Sequence, residues 1–146
     1  MRIALPFDGS PSAVNAVNYV VGLAAREAGT SLEVHLMNVQ EAPVPIAETF
    51  GHDAAEVATR LVRASRAAGA ELLANPAKLL ESAKVRVQSS VLIGDPASCI
   101  ADYVDKYRCD AAVMGTRGLG AITGLVLGSV AAKVVHLVRI PVTLLK

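Results

Sequence analysis

The sequence predicts an α/β fold, a single-domain three-layer α/β/α sandwich around one five-stranded parallel sheet. Short apolar runs alternate with amphipathic helical stretches along the whole chain, in the order β-α-β-α-β-α-β-α-β. Parallel strands need such crossovers, and right-handed ones place helices on both faces of the sheet. The 146 residues, 53% of them hydrophobic, suit one domain over residues 1–146 with a well-buried core.

Ile3 to Phe7 is a short apolar run closed by Asp8-Gly9-Ser10-Pro11, hence a buried strand and a turn. Ser10 is placed to cap the next helix and Pro11 to open it. That helix carries Val14, Val17, Val21, Ala24 and Ala28 at helical spacing, with Gly29 placed to stop it. Leu32, Val34 and Leu36 alternate with Ser31, Glu33 and His35, which predicts a second strand to Val39 with His35 facing outward. Gln40 to His52, with Pro43 and Pro45, reads as a loop.

A long helix follows, with Val57, Leu61, Ala64, Ala68 and Leu72 on one face and Glu56, Arg60, Arg63 and Arg66 on the other. Asn75-Pro76 is expected to break or kink it before a last turn or two from Ala77 to Ser82. Val85 to Ile93 is a third strand, Gly94-Asp95-Pro96 a turn, and Pro96 to Tyr107 a third helix. Ala111 to Met114, Ser129 to Val138 and Val142 to Leu145 complete the series as strand, helix and strand.

A net charge of +1 gives no electrostatic footprint for nucleic acid or a membrane surface. The charge-free stretch Gly118 to Ala132 is too short and too rich in glycine to cross a bilayer. The opening run MRIALPF reaches Asp8 too early for a secretory leader, so a cytoplasmic protein is expected. Cys99 and Cys109 match no zinc or dithiol spacing and read as reduced packing residues.

The segment MGTRGLGAITGLVLGS, residues 114–129, holds five of the eleven glycines and no acidic side chain. A P-loop needs Gly-x4-Gly-Lys-Ser/Thr, and no Lys follows any of these glycines. GLGAITG imitates a dinucleotide fingerprint. That motif, however, needs a βαβ unit and an acid about 20 residues on, whereas Asp and Glu are absent from Ala111 to the end. A looser arrangement fits. Gly115 and Gly118 follow a strand, and Gly128-Ser129 opens a helix whose first amides and dipole favour an anion. Arg117 lies in the loop itself. Taken alone, the glycines are also explained by a tight turn and a closely packed last helix.

Gly115, Gly118 and Gly128-Ser129 also complete the pattern Gly-x2-Gly-x9-Gly-Ser, in which the segment resembles the ATP-binding branch of the universal stress protein (UspA-like) family. The likeness spans essentially the whole chain, through DGSPSAVNAV, HLMNVQ, LIGDPASCIADYV, CDAAVMGTRG and GSVAAKVVHLVRIPVTLL. It implies a Rossmann-like sheet of order 3-2-1-4-5, of the adenine nucleotide alpha hydrolase-like type, and a dimer. It implies further that Pro6, Phe7 and Asp8 lie at the adenosine end, with Val39, Met114 and Gly115 beside base and ribose. Gly118, Gly128, Ser129 and Val130 would surround the phosphates. An Arg117 contact to phosphate is our own addition.

The residues themselves leave alternatives. Asp8 can instead cap the first helix, and Val39 and Met114 can be core rather than pocket wall. The expected ligand is ATP, with magnesium carried by its phosphates. No base or metal-ligating acid accompanies the glycines, so binding without efficient turnover, in a regulatory stress-response role, is the expectation. A slow ATPase, an enzyme on an adenylated substrate and a nucleotide-free dimeric module are the alternatives. The apolar last strand, Val142 to Leu145, is an expected sheet edge and hence the expected homodimer contact, unless a helix or loop covers it.

Overall fold

The computed structural model describes residues 1–26, 31–41, 54–119 and 127–146. Its elements are β1 (Arg2–Pro6), α1 (Pro11–Arg26), β2 (Glu33–Gln40), α2 (Ala54–Ser82), β3 (Arg86–Ile93), α3 (Pro96–Tyr107), β4 (Ala111–Gly115), α4 (Ser129–Leu137) and β5 (Val142–Leu145). All five strands are parallel and form one sheet of order β3-β2-β1-β4-β5. The expected helix stop at Gly29, most of the loop after Gln40, His52, Gly120 and Gly124 lie outside the described residues.

The order reverses between β1 and β4, and right-handed crossovers therefore put α1 and α2 on one face and α3 and α4 on the other. Two cores result. Ile3, Leu5, Val17, Val20, Leu36, Leu73 and Leu80 belong to the first; Ala4, Met37, Ile100, Tyr103, Val104, Met114 and Val134 belong to the second.

Ser10 caps α1 as expected. Its hydroxyl accepts from Ala13 N–H at 3.3 Å, while Pro11 occupies the first helical position, where no N–H is needed. Which face each helix buries differs from the reading of the periodicity. In α1, Ala13, Ala16, Val17 and Val20 are buried, while Val14 is 43% exposed. Small residues face the sheet because α1 lies close against β4. In α2, Gly69, Leu73, Pro76 and Leu80 are buried, and Leu61 is 40% exposed with Ala64 and Ala68 also outside. Gly69 decides this, since a Cβ there would stand 2.6 Å from Val91 Cγ1 and 2.8 Å from Asn38 Oδ1. The expected break at Asn75-Pro76 is absent. α2 runs unbroken to Ser82, with Pro76 buried on the stripe that seals the sheet, so packing offsets the roughly 3 kcal/mol that an interior proline costs.

His35 does not face solvent. It is 2% exposed, because β2 is covered on both faces and no strand position there is an outer one.

The β1–β2 ladder continues to Pro6–Met37, but the β1–β4 ladder covers only Ile3–Ala111 and Ala4–Ala112. Phe7 N–H donates to Met37 C=O of β2 at 2.7 Å, and successive N–H groups along a strand alternate in direction. The backbone nitrogen that faces β4 is therefore that of Pro6, which has no hydrogen to donate. The two strands part where that donor is missing.

Candidate functional site

A cleft of about 350 Å³ opens at this parting, outside the carboxyl ends of β1, β2 and β4. Such a position, at the switch point of a parallel sheet, is where α/β folds hold ligands. All eleven residues singled out from the sequence border it: Pro6, Phe7, Asp8, Val39, Met114, Gly115, Arg117, Gly118, Gly128, Ser129 and Val130. Ser10, Met37, Glu41, Pro96, Ile100 and Thr116 also line it and were not singled out. Met37 was findable, because it stands two residues before Val39 and shares its side of β2. Pro96 and Ile100 come from α3, and nothing local in the sequence marks them.

Each side chain has a definite station. Val39 and Met114 are both core and wall: Met114 belongs to the second core and Val39 packs on it, yet both reach the cleft. Phe7 belongs to the first core and its carbonyl accepts from Asn38 Nδ2 at 2.8 Å. Its bulk is thereby absorbed on the α1–α2 side. Asp8 is half-buried and does not cap α1, the role Ser10 fills. Instead its Oδ1 accepts from Ser10 N–H at 2.9 Å, while its Oδ2 lies 2.8 Å from where a Cβ of Gly118 would be.

The glycines differ in what they do. Gly115 is pressed against the first turn of α1; a Cβ would overlap Ser12 Oγ and lie 2.9 Å from Ala13 N. Gly118 leaves room for the Asp8 carboxylate. Gly128 turns the chain into α4, donating its N–H to Thr116 C=O at 2.7 Å. As the N-cap of α4 it has no side chain to offer, so the first-turn amides of this helix receive no capping hydrogen bond from a side chain. The Thr116 hydroxyl is buried and has no partner among the described residues.

Among the described residues bordering the cleft, Asp8, Glu41 and Arg117 are the charged ones. Asp95, on the neighbouring turn, is engaged as the N-cap of α3. It accepts from Ser98 N–H at 3.0 Å and Ser98 Oγ at 2.9 Å, and these bonds hold its carboxyl below the usual carboxylate range. Burial pushes the thiols of Cys99 and Cys109 up, as befits reduced packing residues. Among the described residues no group of three His, Cys, Asp or Glu side chains converges, and no helix is long and apolar enough to cross a membrane.

Comparison with known proteins is decisive at the level of family. The model of the universal stress protein family matches residues 1–146. The chain belongs to that family. A universal stress protein from Thermus aquaticus is 34% identical over 148 residues, covering 99% of this chain and 97% of the relative. The fold is shared with universal stress protein UspA from Lactobacillus plantarum, at TM-score 0.82 and 19% identity over 100% of this chain and 97% of that one. It is shared also with a universal stress family protein from Arabidopsis thaliana that was solved with AMP bound, at TM-score 0.68 and 21% identity over 100% and 91% of the two chains.

Proposed function

We propose that this member of the family binds an adenine nucleotide, ATP, in the cleft and works in the cytoplasm as a nucleotide-dependent regulatory protein without efficient turnover. The observation that carries the reading is the convergence of four distant segments, the ends of β1, β2 and β4 and the start of α4, on one cleft. The AMP bound to the Arabidopsis relative supports the same class of ligand.

The residues fit such a ligand. Apolar Val39, Met37, Met114 and Ile100 offer a wall for a base, and the half-buried Asp8 can accept from ribose hydroxyls. At the other end the uncapped amides of α4, the Ser129 hydroxyl and Arg117 provide donors for phosphate oxygens. Magnesium, in this reading, comes with the phosphates. Among the described residues bordering the cleft no general base stands out, since one Asp8 oxygen already accepts from Ser10 N–H and Glu41 is exposed. The nucleotide is then a bound signal rather than a substrate.

The test is a thermal melt of nucleotide-stripped protein with Mg-ATP, GTP or NAD. Ligand at about 100 times its dissociation constant stabilises by roughly 2.7 kcal/mol, about 5–10 °C for a chain of this size. A rise with ATP, smaller with GTP and absent with NAD, is expected; no rise with ATP overturns the reading. Arg117→Ala should weaken ATP binding and leave adenosine binding unchanged, as isothermal titration would show.

β5 is the last strand of the sheet, and its residues Val142, Thr143, Leu144 and Leu145 are all half-buried. An apolar edge with open backbone groups calls for pairing, and we propose a symmetric homodimer through it. Light scattering at micromolar concentration should give twice the chain mass, and a monomer would refute the contact.

A further inference from the structure

The Arg117 carbonyl is held by two hydroxyls from the first turn of α1. Ser12 Oγ donates to it at 2.5 Å and Ser10 Oγ at 3.1 Å, and the two hydroxyls lie 3.3 Å apart. The same Ser12 oxygen faces the Arg117 N–H at 3.4 Å. Ser10 and Ser12 are both buried, so this is not a surface contact that water can replace. Gly115 makes the arrangement possible, because any Cβ there would collide with Ser12 Oγ and hold α1 away.

A peptide is planar and trans, so its C=O and the following N–H point in opposite directions. Fixing the Arg117 carbonyl against α1 therefore fixes the Gly118 N–H pointing away from α1. Gly118 N stands 3.8 Å from where a Cβ of Gly128 would be, beside the start of α4. The Gly118 amide thus joins the uncapped amides of α4 on one side of the cleft. The Arg117–Gly118 peptide could otherwise turn over, since Gly118 has no side chain to resist it. Turned over, it would present a carbonyl oxygen to an anion.

We infer that the Ser10–Ser12 pair is a positioning device for the phosphate end of the cleft, locking the Arg117–Gly118 peptide with its N–H available to a phosphate oxygen. This rests on the nucleotide reading and adds to it two residues that act through the loop backbone. The device is complete before ligand arrives, so no reorientation opposes binding. Ser12 is the cleaner of the two to remove, because Ser10 also caps α1 whereas Ser12 sits inside the helix, where Ala is favourable.

The experiment measures affinity for adenosine and for AMP in wild type and in Ser12→Ala, with ligand-free melts of both, and follows the Gly118 amide resonance on titration with AMP. AMP should bind wild type more tightly than adenosine. Ser12→Ala should lose about 10-fold or more of the AMP affinity, keep adenosine affinity within about twofold, and lose the AMP-induced shift at Gly118. If the variant keeps the full AMP advantage, or loses adenosine and AMP in equal proportion, the positioning role is overturned while the nucleotide site stands. If wild type binds adenosine and AMP equally, the phosphate does not meet this loop and the inference fails alone. If wild type binds neither, the nucleotide reading itself fails and the device with it. Should Ser12→Ala melt too low to titrate, Ser10→Ala, which keeps the shorter Ser12 bond, should show a smaller loss of the same kind. A loss spread over both ligands there would equally overturn the role.

Discussion

Substituting Gly115 by Ala separates what this glycine does for the fold from what it does for a ligand. The added methyl would overlap Ser12 Oγ and stand 2.9 Å from both Ala13 N and Ser12 C, against an ordinary contact distance of 3.4–4 Å. A hydroxyl can rotate, but the α1 backbone cannot, so the helix must retreat by at least about half an ångström from β4 or the strand must bend. Overpacking of this kind costs about 1–3 kcal/mol. For a domain of this length each kcal/mol lowers the melting temperature by about 2–4 °C, which places the variant about 2–12 °C below wild type. The assay is a thermal and urea melt of ligand-free protein. A ligand-free melt within 1 °C of wild type would show that α1 yields freely, and would refute the claim that Gly115 is required by packing.

Gly118→Ala should behave in the opposite way. Among the described residues its methyl meets Asp8 Oδ2 alone, at 2.8 Å, and that carboxylate is the far end of a half-buried side chain that can shift, so the ligand-free melt should change by under about 1 kcal/mol. The carboxylate would be displaced, and nucleotide affinity should fall at least several-fold by titration calorimetry. His35 predicts a pH dependence: burial holds its pKa below the ordinary histidine value, against a lesser pull from Glu33, so the folded state keeps it neutral. Its contribution is fully present above the unfolded pKa of about 6.5 and is lost as pH falls below it, so urea stability should decline from pH 7 to 5. His35→Gln should flatten that slope, and an unchanged slope would assign it to other groups. Tyr103→Phe should cost about 1–3 kcal/mol in urea melts, since the phenol bridges His35 Nδ1 at 3.2 Å and Ser90 Oγ at 3.0 Å, and its loss leaves both short of a partner.

The order of elements was legible because each signal is local: Ser10-Pro11 caps and opens α1, and the turn Gly94-Asp95-Pro96 leads into α3, where the structure adds Asp95 as the cap. The cleft was legible through the glycine pattern and the family resemblance, which named residues after β1, β2 and β4; those strands end on one rim and so bring them together. Which face each helix buries was not. Val14 and Leu61 fit an apolar stripe as well as the true inner residues do, and the choice is made by close approach at Gly115 and Gly69, across the sheet rather than along the helix. His35 was misplaced for a related reason, since alternation marks an outer face only where a sheet has one. The run through Pro76 shows a penalty of known size overridden by burial that no window of sequence contains. The cleft residues from α3 were invisible likewise, because a helix packs into the site from a distance in the chain.

The opening between β1 and β4 begins at a nitrogen without a hydrogen, that of Pro6. A cleft held apart by side-chain packing alone can close when those side chains relax, and it must then be reopened at the ligand's expense. Here the gap is written into covalent structure. No shift in temperature, salt or pH restores a donor to proline, so the seam does not depend on side chains holding it apart. The sheet floor of the cleft is therefore set by the chain itself, before any ligand arrives.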